Sequence, residues 1–293
     1  QAYFDNLTWE ELFGKLCPAI ISYNNSLPEN QKILKSDQEY HSVFAYDSDD
    51  NLFITLAKQY GYGYTGINKA TGKGTIDFNN EGMKSLMKTF NDAAKKGYIM
   101  SKGSAGGNYT NNYFTAQNTL FSVGSTGGVK SQFSSANPMN VGVARIPHAA
   151  GKDPFVINQG PSLTVLDHND DDRALASWLF YKHMTNEENS LDWAINSGYM
   201  GIRHSNYEDE DYKDATNPDG KPAKSLERLM AKSADYTKNI TGEMYTSPAF
   251  KGSSTARTQV GGLMTSCLTE TNLTDAKLNE LFEKAVSECL LAL

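Results

Sequence analysis

Little cysteine and a deficit of positive charge mark this sequence. Three cysteines in 293 residues, at Cys17, Cys267 and Cys289, are too few and too scattered for a disulfide framework or a zinc knuckle. Buried free thiols are expected, with room for one bridge. Lysine and arginine total 27 against 34 aspartate and glutamate, a net charge of −7, and they form no basic stripe. That argues against nucleic acid or an anionic membrane as partner. No apolar run approaches the roughly 20 residues of a membrane-spanning helix. The most apolar stretch, near the C-terminus, is broken by Glu283, Lys284 and Glu288. His41, His148, His168, His183 and His204 are dispersed without metal-ligand spacing, so neither a metal nor a cofactor is expected.

What is present is a globular composition, 39% apolar and 21% charged, in a chain long enough for one large or two ordinary domains. Thr8-Trp9-Glu10-Glu11 is a capping box that opens a helix through Leu12, Leu16 and Ala19. A helix over 51–59 ends in the cluster Tyr60-Gly61-Tyr62-Gly63-Tyr64. Asn79 or Asn80 caps another, whose apolar face is Met83, Leu86, Met87, Phe90, Ala93 and Ala94 and which Gly97 stops. Residues 141–146 and 162–166 read as strands. Asp170 to Asp172 start a helix expected to bury Ala174, Leu175, Trp178 and Leu179. Thr185-Asn186-Glu187-Glu188 is a second capping box, 206–224 reads as a solvated excursion, and the last helix begins near Thr274. Strands alternating with helices imply an α/β fold.

Three motifs fail in context. Gly61-x-Gly63-x-x-Gly66 follows a helix rather than a strand and leads into Asn68-Lys69, so it is a helix-ending turn rather than a dinucleotide fingerprint. Asp47-x-Asp49-x-Asn51 starts like a calcium loop but lacks the sixth-position glycine and the closing glutamate, and reads as a solvated helix cap. Ser125 has Val123 where a nucleophile elbow needs glycine. Carboxylate pairs such as Glu187/Glu188 sit on charged caps, away from apolar neighbours that would raise a pKa. No enzyme chemistry is expected.

A binding constellation remains. The apolar run Leu120, Phe121, Val123 empties into Gly124-Ser125-Thr126-Gly127-Gly128, a passage that turns backbone N–H groups toward a ligand. Ser125, Thr126 and Gly127 are therefore candidate contacts. Gly160, before Pro161, permits close backbone approach. Tyr199 offers a flat apolar face with a hydroxyl tip. Ser253 and Arg257 lie in Gly252-Ser253-Ser254-Thr255-Ala256-Arg257, where the arginine offers a bidentate clamp to hydroxyls, a carboxylate or a phosphate.

The order of these segments resembles the maltose-binding-protein-like group of bacterial extracellular solute-binding proteins. The matching stretches are Thr8-Trp9-Glu10-Glu11-Leu12, the Tyr/Gly turn at 60–66, 114–125, Val141-Gly142-Val143 with Ile146-Pro147, Gln159-Gly160-Pro161-Ser162, the helix at 174–184 with its following cap, and Ser197-Gly198-Tyr199-Met200-Gly201-Ile202-Arg203. The proline common after the Gly-Tyr of that group is absent, and Gly127-Gly128 stands where sugar binders often carry tryptophan.

The resemblance implies a two-lobed, periplasmic-binding-protein-like fold of type II, with ligand clamped between lobes. It implies residues 1–142 in the second lobe, 143–200 returning to the first, and 201–293 in the second lobe again. It also implies that a signal peptide, a lipid anchor and much of the first lobe precede this chain. The function implied is the sugar- or oligosaccharide-binding component of an ABC importer, outside the cell, with the importer's membrane subunits as partners. A glycerol-phosphate or glycerophosphodiester receptor is the alternative within the fold, and a secreted carbohydrate-active enzyme the alternative of another class. If that first lobe is missing, the apolar faces from Val143 to Trp193 should stand partly uncovered.

Overall fold

Helix caps and glycine stops set the element boundaries. The computed structural model describes residues 1–293 except 35–39, 161 and 168; Pro161 and His168, both named above, lie outside the described residues. After a short helix α1 (Ala2–Asp5), Thr8 Oγ1 accepts the Glu11 N–H at 3.1 Å and starts α2 (Trp9–Glu11). This helix passes through a π-helical turn, Leu12–Leu16, into α3 (Cys17–Ser26). Strand β1 (Ser42–Tyr46) leads to α4 (Asp49–Tyr60), which Gly61 ends in the left-handed region at φ 73. A hairpin, β2 (Thr65–Ile67) and β3 (Gly74–Ile76), precedes α5 (Glu81–Lys95), where Asn80 is the capping residue.

Strand β4 (Ile99–Ser101), α6 (Thr110–Thr115) and β5 (Thr119–Val123) follow, then a 3-10 helix, Thr126–Gln132, and β6 (Val156–Ile157). Next come α7 (Asp171–Met184), α8 (Glu187–Ser197), α9 (His204–Glu208), α10 (Glu210–Thr216) and α11 (Leu226–Lys238). The chain closes with β7 (Met244–Tyr245), α12 (Ser253–Thr269) and α13 (Asp275–Ala292).

These elements form two compact units. The first comprises 1–124, 144–157 and 243–293. Its centre is a parallel sheet of order β4-β1-β5, with Phe44 opposite both Ile99 and Phe121. Every residue of β1 is buried, as expected for a central parallel strand covered on both faces. The predicted face of α5 is in the core through Met83, Leu86, Met87, Phe90 and Ala93, and α13 adds Leu278, Phe282, Ala285 and Cys289. Trp9 is buried edge-on to Phe44 and Phe90.

Two buried polar junctions tie this unit together. Trp9 Nε1 donates to Gln59 Oε1 at 2.9 Å, and Gln59 Nε2 donates to the carbonyls of Pro147 (3.1 Å) and Phe155 (2.8 Å). Asp49, read from the sequence as a solvated cap, is instead buried. Its carboxylate accepts from the Ser101 hydroxyl, from Thr265 Oγ1 at 2.9 Å and from the Gly103 N–H at 2.8 Å. A Cβ on Gly103 would sit 2.1 Å from Thr265 Oγ1, so only glycine lets that loop close on α12.

All three cysteines are buried and free. Burial pushes the thiols of Cys17 and Cys267 up to about 12 and Cys289 to about 11. The thiolate is the reactive form, so the folded chain is expected to resist iodoacetamide at pH 8 and to take up three alkyl groups once unfolded, as read by intact mass.

The second unit comprises 125–143 and 158–242. Residues 201–242 and 125–143 thus pack with 158–200, whereas the sequence expectation set boundaries near 142 and 200. The 3-10 helix packs on α11, with Val129, Leu229 and Ala231 buried. The segment 206–224, expected to be solvated, contributes two short helices. Asn206 is fully buried against Ser190, and Tyr212 is also buried. Asn186, rather than Thr185, caps α8, accepting the Asn189 N–H at 2.7 Å.

Two further expectations are corrected here. Residues 141–146 and 162–166 form no strand; an extended segment becomes one only through a ladder of backbone hydrogen bonds. Helix α7 exists where predicted, but Leu175, Trp178 and Leu179 are each more than half exposed and none of its residues is buried. Its spacing carried the helix correctly, yet no described element covers the apolar side chains.

Candidate functional site

In the first unit the parallel strands end together, the arrangement that gathers loops at the carboxyl edge of an α/β sheet. The Asp47 N–H donates to the Val123 carbonyl at 3.1 Å and the Lys102 N–H to the Tyr46 carbonyl at 2.9 Å, so the loops leaving β1 and β4 start side by side. Helix α12 packs across α4 here. Arg257 Nη2 lies 2.7 Å from Asp50 Oδ2 and also donates to Asn51 Oδ1. Ser48 Oγ donates to Asp50 Oδ1 at 2.7 Å. Ser253 is the first residue of α12, after Gly252 at φ 91.

The loop after β4 brings an aromatic side chain that the sequence analysis missed. Tyr109 is 56% exposed, with Lys102 Nζ 3.7 Å from its ring centroid. Its signal was available: a Gly-, Ser- and Asn-rich loop, 103–108, leaving a strand's carboxyl end.

In the second unit the structure brings together four of the predicted residues. Ser125 Oγ accepts the Gly128 N–H at 3.1 Å and caps the 3-10 helix that Thr126 begins. The Tyr199 ring lies against Gly127, where a Cβ would come within 2.3 Å of its Cζ. Gly198, at φ 85, packs so closely that a Cβ would be 2.7 Å from the Thr126 carbonyl. The space left by Gly127 is thus filled by an aromatic ring from elsewhere in the chain. Tyr199 in turn stacks with Trp193, centroids 6.1 Å apart and planes at 21°. Gly160 lies in this unit with open space around it.

Chemically, the two surfaces offer paired donors and acceptors with aromatic rings nearby. Arg257, Asp50 and Asn51 alternate donor and acceptor within hydrogen-bond distance. The carboxylates of Asp49 and Asp50 already accept hydrogen bonds from neighbours.

The model of the bacterial extracellular solute-binding proteins matches residues 3–219. The chain belongs to this family. Solved structures agree in fold. A maltose-bound MalE3 from T. maritima is 14% identical at TM-score 0.65, over 98% of this chain and 66% of that one. UgpB from Mycobacterium tuberculosis, in complex with glycerophosphocholine, is 16% identical at 0.59, over 93% and 62%. A maltotriose-bound protein from Thermus thermophilus is 12% identical at 0.60, over 97% and 66%. The chain therefore spans somewhat under two thirds of the length of the structures it resembles. No curated protein matches it by sequence. Its fold is the α/β fold of type II periplasmic binding proteins, of which this chain spans part. Among the described residues no helix is long and apolar enough to cross a membrane.

Proposed function

We propose that this chain is part of the substrate-binding component of an ABC importer and that its solute is a neutral sugar or oligosaccharide. The observation that carries the reading is the Arg257–Asp50–Asn51 cluster. A pair of vicinal hydroxyls both donates and accepts, and this cluster presents both functions side by side. The phosphate of a phosphodiester only accepts, and at Arg257 it would meet the Asp50 carboxylate; the glycerol hydroxyls of a glycerophosphodiester fit the cluster as a sugar's do. The structural relatives named for maltose and maltotriose support the same reading, and the one named for glycerophosphocholine supports the alternative. The work is binding without covalent chemistry, supported by carboxylates engaged as acceptors rather than set apart as acid and base.

Within this reading Ser125, Thr126, Gly127, Gly160 and Tyr199 are ligand contacts offered by the second unit, and Ser253 and Arg257 contacts offered by the first, with Tyr109 added to the first. A division of the whole protein into two lobes, the importer's membrane subunits as partners and a lipid anchor outside these residues complete the proposal. Wall packing supplies one test. Gly127→Ala displaces the Tyr199 ring, and sugar affinity, measured by calorimetry on the protein at its native length, is expected to fall about tenfold. Unchanged affinity would remove Gly127 and Tyr199 from the site.

A further inference from the structure

Exposed aromatic side chains in the second unit fall into two different settings. Trp178 on α7 lies among Leu175, Leu179 and Phe180, an exposed apolar patch. Trp193 on α8 is 57% exposed, but its surroundings are polar. At about 100° per residue, the residues sharing its helix face are Asn189, Asn196 and Ser197, with Asp192 beside them. Asn196 Nδ2 donates to Asp192 Oδ1 at 2.9 Å, which fixes an amide and a carboxylate at the rim. The Ser197 hydroxyl accepts the Tyr199 N–H at 3.1 Å, holding the turn that carries Tyr199.

The Tyr199 ring, 37% exposed, is partly covered as a stacking surface. Gly127 lies against it near Cζ, and Trp193 stacks on it. Tyr199 therefore acts as a spacer, and the broad free indole surface is that of Trp193. A flat apolar ring rimmed by amide, carboxylate and hydroxyl groups matches a pyranose, which has an apolar C–H face and hydroxyls around its edge.

We propose that Trp193 is the stacking platform for a sugar ring, with Tyr199 its positioning residue. This inference rests on the sugar-binding reading above. The test uses the protein expressed at its native length, with maltose and maltotriose as probes. Fluorine NMR of 5-fluorotryptophan-labelled protein gives the Trp193 resonance, identified by its loss in Trp193→Phe. The proposal expects that resonance to shift on sugar addition. It also expects Trp193→Ala to lose at least about tenfold in affinity while Trp193→Phe stays within about threefold. An unmoved resonance, or Trp193→Ala binding within about twofold of the parent, overturns the platform while leaving the sugar reading intact. If neither sugar binds the parent protein, the sugar reading and the platform both fall.

Discussion

Replacing Gln59 with leucine is expected to destabilise the first unit by about 3–5 kcal/mol, because three buried polar groups lose their partner at once. The Trp9 indole N–H and the carbonyls of Pro147 and Phe155 all converge on this one amide. Each orphaned buried group costs about 1–3 kcal/mol, whereas the leucine regains only part of that through its own burial. Gln59→Glu is a sharper variant. It keeps an acceptor for Trp9 but turns the donating end toward two carbonyls as a carboxylate, so it should be no milder than leucine. Denaturant unfolding followed by circular dichroism checks both. A loss under about 1 kcal/mol would mean that the residues around 147 and 155 are not pinned by this side chain.

Replacing Arg257 with alanine is expected to weaken both stability and binding. The guanidinium is mostly covered, with 20% of the side chain exposed, and pairs with an Asp50 of similar exposure. Its loss should cost about 1–3 kcal/mol of folding free energy, because it leaves a largely covered carboxylate without its cation. For a sugar held by the cluster, the same change removes donors to the ligand and leaves Asp50 with Ser48 alone. The expected loss is about 2–3 kcal/mol, or roughly 30- to 150-fold in affinity. Arg257→Lys should recover only part of it, since an ammonium that replaces Nη2 on Asp50 and Asn51 leaves none of the guanidinium's other N–H donors for the ligand. Asp50→Asn separates the two solute classes: it should weaken sugar binding and strengthen any binding of glycerophosphocholine. Improved sugar binding in Asp50→Asn would contradict the assignment of the carboxylate as a hydroxyl acceptor.

How much of this was legible in the sequence depended on range. Thr8, Asn80, Asp170 and Thr274 cap helices through bonds three residues away, and such signals are complete within a short window. The face of α5 followed from periodicity for the same reason. Gln59 was invisible because its partners lie 50, 88 and 96 residues away, and Asp49 was misread because Ser101 and Thr265 lie 52 and 216 residues away. For α7, spacing gives the helix but not what covers it. The stretch around 206–224 has the composition of a loop, yet Asn206 satisfies Ser190 and Glu187 in the interior.

The site divides along the same line. The passage from β5 through Ser125 was readable from glycine and apolar pattern alone. Arg257 was readable as a clamp, but not that Asp50 and Asn51 hold it. Trp193 was not singled out because its role depends on Tyr199 turning back beside Gly127, a consequence of the left-handed Gly198. Tyr109 was missed because the Gly-, Ser- and Asn-rich loop before it signals only a turn, and its place at the end of β4 appears only in the fold.

The central claim is that this family member binds a neutral sugar and does no chemistry on it. A thermal-shift panel of maltose, maltotriose and glycerophosphocholine, run on the protein at its native length, tests it most directly. A ligand bound only by the folded state raises the melting temperature in proportion to its saturation. The account predicts a rise with maltose or maltotriose, none with glycerophosphocholine, and sugars recovered intact. A rise with glycerophosphocholine alone, no rise with any of the three, or cleaved sugar would contradict it.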